Sequence, residues 1–267
     1  MAGAGLLPFA NCIMAPVGAD RCPHVRLLSR PPLSSLAVGY NSRMPPPITF
    51  QEYYRAFAAA LDGRARLTRL PNGALTALIG RGGRRLAVLA GLHGDEIGGP
   101  LGLLDWVAQS KALLPPGVSL WLLPLANDLG WDAGEREWQG LDLNRAFLPG
   151  RRAPAMLRPV MASWRRRPPD LFLDFHEDLE CQGPAYIFRY TEEQHDLPEK
   201  MAAALNAPML DWTEFAEWEG CSELFLRSLG CDRCVTLETP AGWSLEQRRR
   251  WVCQVLDWSL QYLRDYP

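Results

Sequence analysis

Four short apolar runs constrain this chain more than any other feature: RLAVLAG at 85–91, VSLWLLPL at 118–125, LFLDF at 171–175 and CVTL at 234–237. They do not alternate apolar with polar residues, so each reads as a strand buried on both faces, the hallmark of a parallel sheet covered by helices on both sides. The intervals between them fit that architecture. Helical periodicity places Tyr54, Phe57 and Leu61 on one face of a segment at 48–61. Further helices are expected at 96–109, 155–166, 192–205, 222–229 and 245–262, with a strand at 76–80, another at 185–189 and a polar loop at 127–142. Arg81, Gly82 and Gly83 supply the turn between the first two strands. The fold class implied is α/β: a single domain with a mixed, mostly parallel β-sheet flanked by helices and no internal repeats. In such sheets ligands bind beyond the carboxyl ends of the strands.

Composition narrows the function classes. With 267 residues, 48% of them hydrophobic and 22% charged, the chain can bury one large core, and a formal net charge of −2 argues against a nucleic-acid partner. No apolar run approaches the roughly 20 residues that span a bilayer, and the N-terminus lacks a basic segment followed by a clean apolar core, so no membrane partner and a cytoplasmic location are expected. Seven cysteines, an odd number, fit reduced thiols better than a disulfide framework. Residues 1–43 differ from the rest: eight prolines lie between Pro8 and Pro47 with no sustained periodicity. A disordered leader is expected there, and Met44 is a candidate start for a catalytic domain spanning 44–267.

The chemistry gathers at strand ends. His93 and Glu96 stand three residues apart where the 85–91 run meets a helix, so one turn of backbone can aim both at a single point, as two zinc ligands require. His176 holds the same kind of position after LFLDF, and two histidines with one carboxylate leave a fourth coordination place open for water. Asp174, two residues earlier and on the same side of the strand, can orient an imidazole. A lone histidine at a strand end is more often a satisfied polar residue than a ligand. Here two of the four histidines, at 24, 93, 176 and 195, follow the most strand-like runs directly.

The stretches GLHGDE, GLDLNRAF, LDFHED and TLETP, in this order, resemble the zinc carboxypeptidase family, the carboxypeptidase A-like clan that includes murein peptide amidases and the aspartoacylase and succinylglutamate desuccinylase branch. The resemblance implies one zinc ion per chain, held by His93, Glu96 and His176. It implies Glu238 as the general base for the attacking water, Asn144 and Arg145 as the pair that clamps a substrate carboxylate, and Arg136 as the arginine that steadies the oxyanion. Arg136 lies one residue closer to LDLNR than the family spacing, and a solvated loop charge is its competing reading. The function implied is a metallocarboxypeptidase that hydrolyses an amide bond next to a free carboxylate in a short peptide, such as a murein-type peptide. The alternative is an N-acyl amino acid deacylase, against which stands the short stretch of chain after Glu238. A non-catalytic zinc-cleft binding module is a third reading, which retention of Glu238 disfavours. The partner expected is a small peptide or acyl amino acid; the sequence does not specify an oligomeric state.

Several features depart from the family or stand outside it. No tyrosine occurs between Thr191 and Glu238, where many carboxypeptidases carry one on a mobile loop, and Tyr186 and Tyr190 lie too early to match. The interval holds Asp211, Glu214, Glu217, Glu219 and Glu223, which read as a solvated acidic loop or as the wall of a pocket for an amino-bearing side chain. Cys231 and Cys234 form a single CxxC with no second pair, expected to pack beside the final strand. The arginines at 151, 152, 158, 165, 166 and 167 read as a solvated helix face rather than a polyanion site.

Overall fold

The four apolar runs become the four central strands of the sheet. In this computed structural model they are β3 (Arg84–Ala90), β4 (Val118–Leu123), β5 (Leu171–Asp178) and β8 (Cys234–Pro240), and all three ladders among them are parallel. Further strands extend both edges: the hairpin of β1 (Ala65–Arg69) and β2 (Leu75–Ile79) on one side, and β6 (Tyr186–Arg189) with the parallel β7 (Met209–Asp211) on the other. The order is β1-β2-β4-β3-β5-β8-β6-β7, with antiparallel ladders at β1/β2, β2/β4 and β6/β8. The structure describes residues 46–109, 114–148, 153–189, 196–211 and 219–265. These fall within one compact unit, residues 40–267; the expected leader and the candidate start at Met44 lie outside the described residues.

Helices cover both faces, as buried parallel strands require. One layer holds α1 (Phe50–Ala60), α2 (Gly98–Gln109) and α7 (Leu245–Asp265), with α2 and α7 packed on each other and α1 on α2. Thr49 and Glu52 form a reciprocal capping box that starts α1. On the other face lies α4 (Leu157–Arg166), whose Trp164 packs edge-on against Trp121 of β4 and Phe172 of β5, together with α6 (Ser222–Arg227). Short α3 (Asp128–Ala133) and α5 (Leu197–Leu205) complete the described helices. No described helix is long and apolar enough to cross a membrane.

The structure revises several expected boundaries. β5 and β8 run on past the apolar runs, because polar residues there remain in register: His176 opposite Glu238 and Glu177 opposite Thr239. Both His176 and Glu238 therefore sit inside a ladder, not beyond one. The expected loop at 127–142 contains α3, which starts where the Asn127 side chain accepts from the Gly130 amide at 2.8 Å. Strands β1 and β7 were not expected; each is an edge strand, and β1 carries the polar sequence ARLTR. The helix expected at 192–205 is described from Leu197 onward.

Candidate metal centre

The strand β3 ends at Gly91, whose φ of 62° lies in the left-handed region that glycine tolerates best, and the chain then turns across the top of the sheet. Gly94 makes the turn tight: a Cβ there would lie 2.0 Å from the carbonyl carbon of Gly130 and 2.3 Å from the Trp131 nitrogen. Asn127 staples the same turn, its amide donating to the Leu92 carbonyl at 3.2 Å and the Arg136 carbonyl at 3.0 Å. His93 and Glu96 leave this turn on one side. On β5, Asp174 and His176 project toward the α4 and α6 face, while Glu177 projects to the other, where it accepts from the Ile97 and Gly98 amides at 3.1 and 2.8 Å. Glu177 thus anchors the first turn of α2 directly behind Glu96, with Arg248 of α7 donating to it at 2.7 Å.

Three side chains converge. Nδ1 of His93 lies 2.6 Å from Oε1 of Glu96, Nδ1 of His176 lies 2.8 Å from Oε2 of Glu96, and the two Nδ1 atoms are 3.2 Å apart. All three residues are buried. The outer nitrogens are engaged elsewhere: Nε2 of His93 lies 3.0 Å from Oδ1 of Asp142, and Nε2 of His176 lies 3.4 Å from Oδ2 of Asp174 and 3.3 Å from the Asn144 amide. A carboxylate accepts only, so Asp142 and Asp174 can hold a hydrogen on each Nε2, and each Nδ1, now sharing a proton with the Glu96 carboxylate, would offer a lone pair to the same point once a cation displaced that proton. Acceptors gathered this way repel unless a cation lies among them.

The surrounding charges point the same way. Burial opposes a charged His93, yet Glu96 and Asp142 hold its pKa above the ordinary imidazole value. Burial likewise opposes charge on His176, and Asp174 and Glu96 raise it further still. Asp142 stays ionised, held down against its burial by His93, Arg136 and Arg145. A divalent cation would replace those imidazole protons, and the nitrogen and oxygen donor set is one that zinc accepts.

Glu238 borders the cluster on β8, its Cα paired with that of His176 and both side chains on one face. The residue is half-buried, but its Oε2 is sealed from solvent and has no hydrogen-bond partner among the described residues. Burial, opposed by His176 and Arg136, pushes its carboxyl well above the usual carboxylate range. Arg136 donates to Oε1 of Glu96 at 3.0 Å, with its side chain 44% exposed.

Residues 82–238, well over half of the chain, match the succinylglutamate desuccinylase/aspartoacylase catalytic domain family, and that span includes His93, Glu96, His176 and Glu238. The chain belongs to this family. The desuccinylase/aspartoacylase domain shares its architecture with a candidate metallopeptidase from Shewanella baltica, at 21% identity and a TM-score of 0.66 over 80% of this chain and 92% of that one. A metallo-carboxypeptidase from Burkholderia cenocepacia superposes with a TM-score of 0.68 at 16% identity, over 83% of this chain and 70% of that one. A succinylglutamate desuccinylase from Silicibacter gives 0.56 at 23% identity, over 74% and 65%. These bear out the carboxypeptidase-like resemblance and the fold class. No functionally curated protein matches the sequence.

The remaining residues expected from sequence lie around the centre as follows. Asn144 and Arg145 belong to a one-turn 3-10 helix, Leu143–Arg145, whose start is capped by Oδ1 of Asp142 accepting from the Asn144 amide at 2.8 Å. The Arg145 guanidinium donates to the Asn144 carbonyl at 2.8 Å and remains partly exposed. Tyr186, set aside from sequence as too early, pairs its Cα with that of Glu238, and its hydroxyl donates to Asp178 at 2.7 Å. Only the antiparallel β6/β8 ladder brings it there, a contact with no sequence signal. Asp142 and Glu177 also went unassigned, although they stand inside the quoted DLNRAF and LDFHED stretches.

Of the acids expected in a loop or pocket wall, Glu223 is neither: it is fully buried, accepting from Ser222 at 3.1 Å and from the Thr236 hydroxyl. Ser222 also donates to Asp174 at 2.6 Å, so this buried cluster backs the His176 side of the centre. Glu219 is exposed, and Glu214 and Glu217 lie outside the described residues. Cys231 and Cys234 are buried thiols at the foot of β8, and burial pushes the Cys234 thiol well up, which suits packing rather than reactivity. Arg158, Arg165, Arg166 and Arg167 are exposed on or beside α4, while Arg151 and Arg152 lie outside the described residues.

Proposed function

We propose that the chain is a zinc-dependent amide hydrolase of the carboxypeptidase type, cleaving a bond next to a free carboxylate in a short peptide. The observation that carries this reading is the convergence of two Nδ1 atoms and the Glu96 carboxylate on one point, beside a Glu238 whose Oε2 is sealed from solvent. His93, Glu96 and His176 would hold the ion, which when bound supplies a Lewis acid that acidifies water and polarises a carbonyl.

The other roles belong to the chain itself. Glu238 takes a proton from the attacking water on one carboxylate oxygen and passes it to the leaving nitrogen; burial raises its proton affinity above that of a solvated carboxylate. Arg136 stands at Glu96 with part of its guanidinium open to solvent, where it can donate to the oxyanion. Arg145 and Asn144, on a turn locked to the His93 side through Asp142, grip the substrate carboxylate and set its distance from the ion. Asp142 and Asp174 fix the two imidazole orientations.

A second reading, an N-acyl amino acid deacylase, is favoured by the family match over residues 82–238. There Arg145 would grip the amino acid carboxylate instead. The E238Q variant tests the mechanism common to both: zinc stays bound and turnover falls by about 10²–10⁴-fold. Wild-type turnover in that variant refutes it. A panel of peptides with free and amidated C-termini, set against N-acetyl and N-succinyl amino acids, separates the two readings, and equal turnover of amidated peptides removes the carboxylate clamp.

A further inference from the structure

At the opposite end of the strands from the metal centre, Arg85 opens β3 with its side chain turned toward α4. Six residue steps along β5 separate Asp170, which lies level with Arg85, from His176, a distance of about 20 Å at strand rise. Arg85 is 7% exposed. Its Nη1 donates to the Arg167 carbonyl at 3.1 Å, but its Nε is buried and has no partner among the described residues. Asp170, the acid that acts on it, accepts from the Arg85 backbone amide at 2.6 Å, and among the described residues no carboxylate pairs with the guanidinium. A buried guanidinium whose neighbouring acid is bonded to a backbone amide, and whose own hydrogen bonding is incomplete, is expensive.

Arg85 lines a cavity of about 170 Å³. The same lining holds Arg66, Arg166, Thr68, Thr76 and Ser163, three guanidiniums and three hydroxyls in all, and it contains no acid. One water needs on the order of 15 Å³ of such space, so the cavity takes a group several times larger. Planar guanidinium forks match tetrahedral oxyanions, and hydroxyls serve the remaining oxygens.

We propose that this cavity binds a phosphate-type dianion, as inorganic phosphate or as the phosphoryl group of a small metabolite. Arg85 forms the desolvated floor, and Arg66 from β1 and Arg166 from α4, both exposed, close over it. The anion supplies the charge the fold leaves out, and it ties the β1/β2 edge to α4.

Calorimetric titration of the full, zinc-loaded chain with inorganic phosphate and with phenyl phosphate, at fixed ionic strength, tests the proposal. Saturable binding is expected in wild type. It should weaken about tenfold for each guanidinium removed in R66A and R166A, which lie on the surface, and in R85Q. Tighter binding of phenyl phosphate assigns the site to a phosphorylated metabolite, and equal or weaker binding assigns it to free phosphate. The titration is repeated after zinc removal by chelation, and the binding should persist. Absence of saturable binding, binding lost with the zinc, or binding undiminished in the R66A/R166A double variant overturns the proposal. The double variant keeps the test decisive even if R85Q fails to fold.

Discussion

Asp142 carries two duties on one oxygen, and replacing it separates them. Its Oδ1 meets Nε2 of His93 at 3.0 Å and the Asn144 amide at 2.8 Å, so it orients an ion-binding imidazole and starts the turn that holds Arg145. In Asp142→Asn an amide oxygen keeps both contacts, but the bond to His93 is no longer charge-assisted. Charge-assisted bonds are about twice as strong as neutral ones, which puts the loss near 1 kcal/mol and the fall in zinc affinity at about five- to tenfold. Asp142→Ala removes both contacts. The side chain is 24% exposed, so water replaces part of what is lost, and a total of about 2–3 kcal/mol, or thirty- to hundredfold in affinity, is expected. Competition with a chromophoric chelator near neutral pH measures both values, and carboxylate-dependent KM measures the turn. Asp142→Asn should spare KM while weakening zinc; Asp142→Ala should damage both. If Asp142→Ala binds zinc as tightly as wild type, the argument that this carboxylate organises His93 is wrong.

Zinc removal by chelation should lower Tm by about 10 °C, because an ion held at a thousand times its Kd stabilises the native chain by about 4 kcal/mol; scanning calorimetry that shows no change would mean that His93, Glu96 and His176 hold no ion. Gly94→Ala should cost at least about 3 kcal/mol in urea unfolding, since its Cβ would collide with the backbone of Gly130 and Trp131 rather than with a movable side chain. Glu177→Gln should lower Tm by about 5–10 °C, from a loss of about 2–3 kcal/mol when Arg248, 12% exposed, and two amides of α2 lose a charged acceptor. An unchanged Tm in that variant would show that α2 does not depend on the anchor.

The parts of this molecule that could be read in advance are those fixed by local pattern. Short continuous apolar runs bounded by turn residues read as doubly covered strands, so β3, β4, β5 and β8 and their parallel ladders followed from the sequence, and with them the part of the sheet where His93, Glu96 and His176 meet. Edge strands escaped because ARLTR in β1 is half solvated and lacks any apolar pattern; its partner β2 and not its own composition makes it a strand. Asp142, Glu177, Tyr186 and Glu223 escaped for a related reason. Each works through a residue far away in the chain: His93, the start of α2, Glu238 and Thr236. A carboxylate looks the same in sequence whether it is solvated or desolvated, and Glu223 shows the difference, reading as loop acid and proving fully buried.

The dipeptide His176–Glu177 links these two kinds of residue. Strand alternation sends adjacent side chains to opposite faces, so one strand position points a donor at the metal centre while the next grips α2 and α7 from behind. Glu96 precedes the amides that Glu177 holds by one and two residues, which means that both carboxylate and imidazole are referenced to the same strand. Gly98 is part of this coupling: a Cβ there would lie 2.2 Å from Oε1 of Glu177, so the helix can approach the strand this closely only without a side chain. The distance between His176 and Glu96 is therefore set by the packing of a helix layer, and changes in the α2 and α7 interface should reach the metal centre through Glu177 although none of those residues touches it.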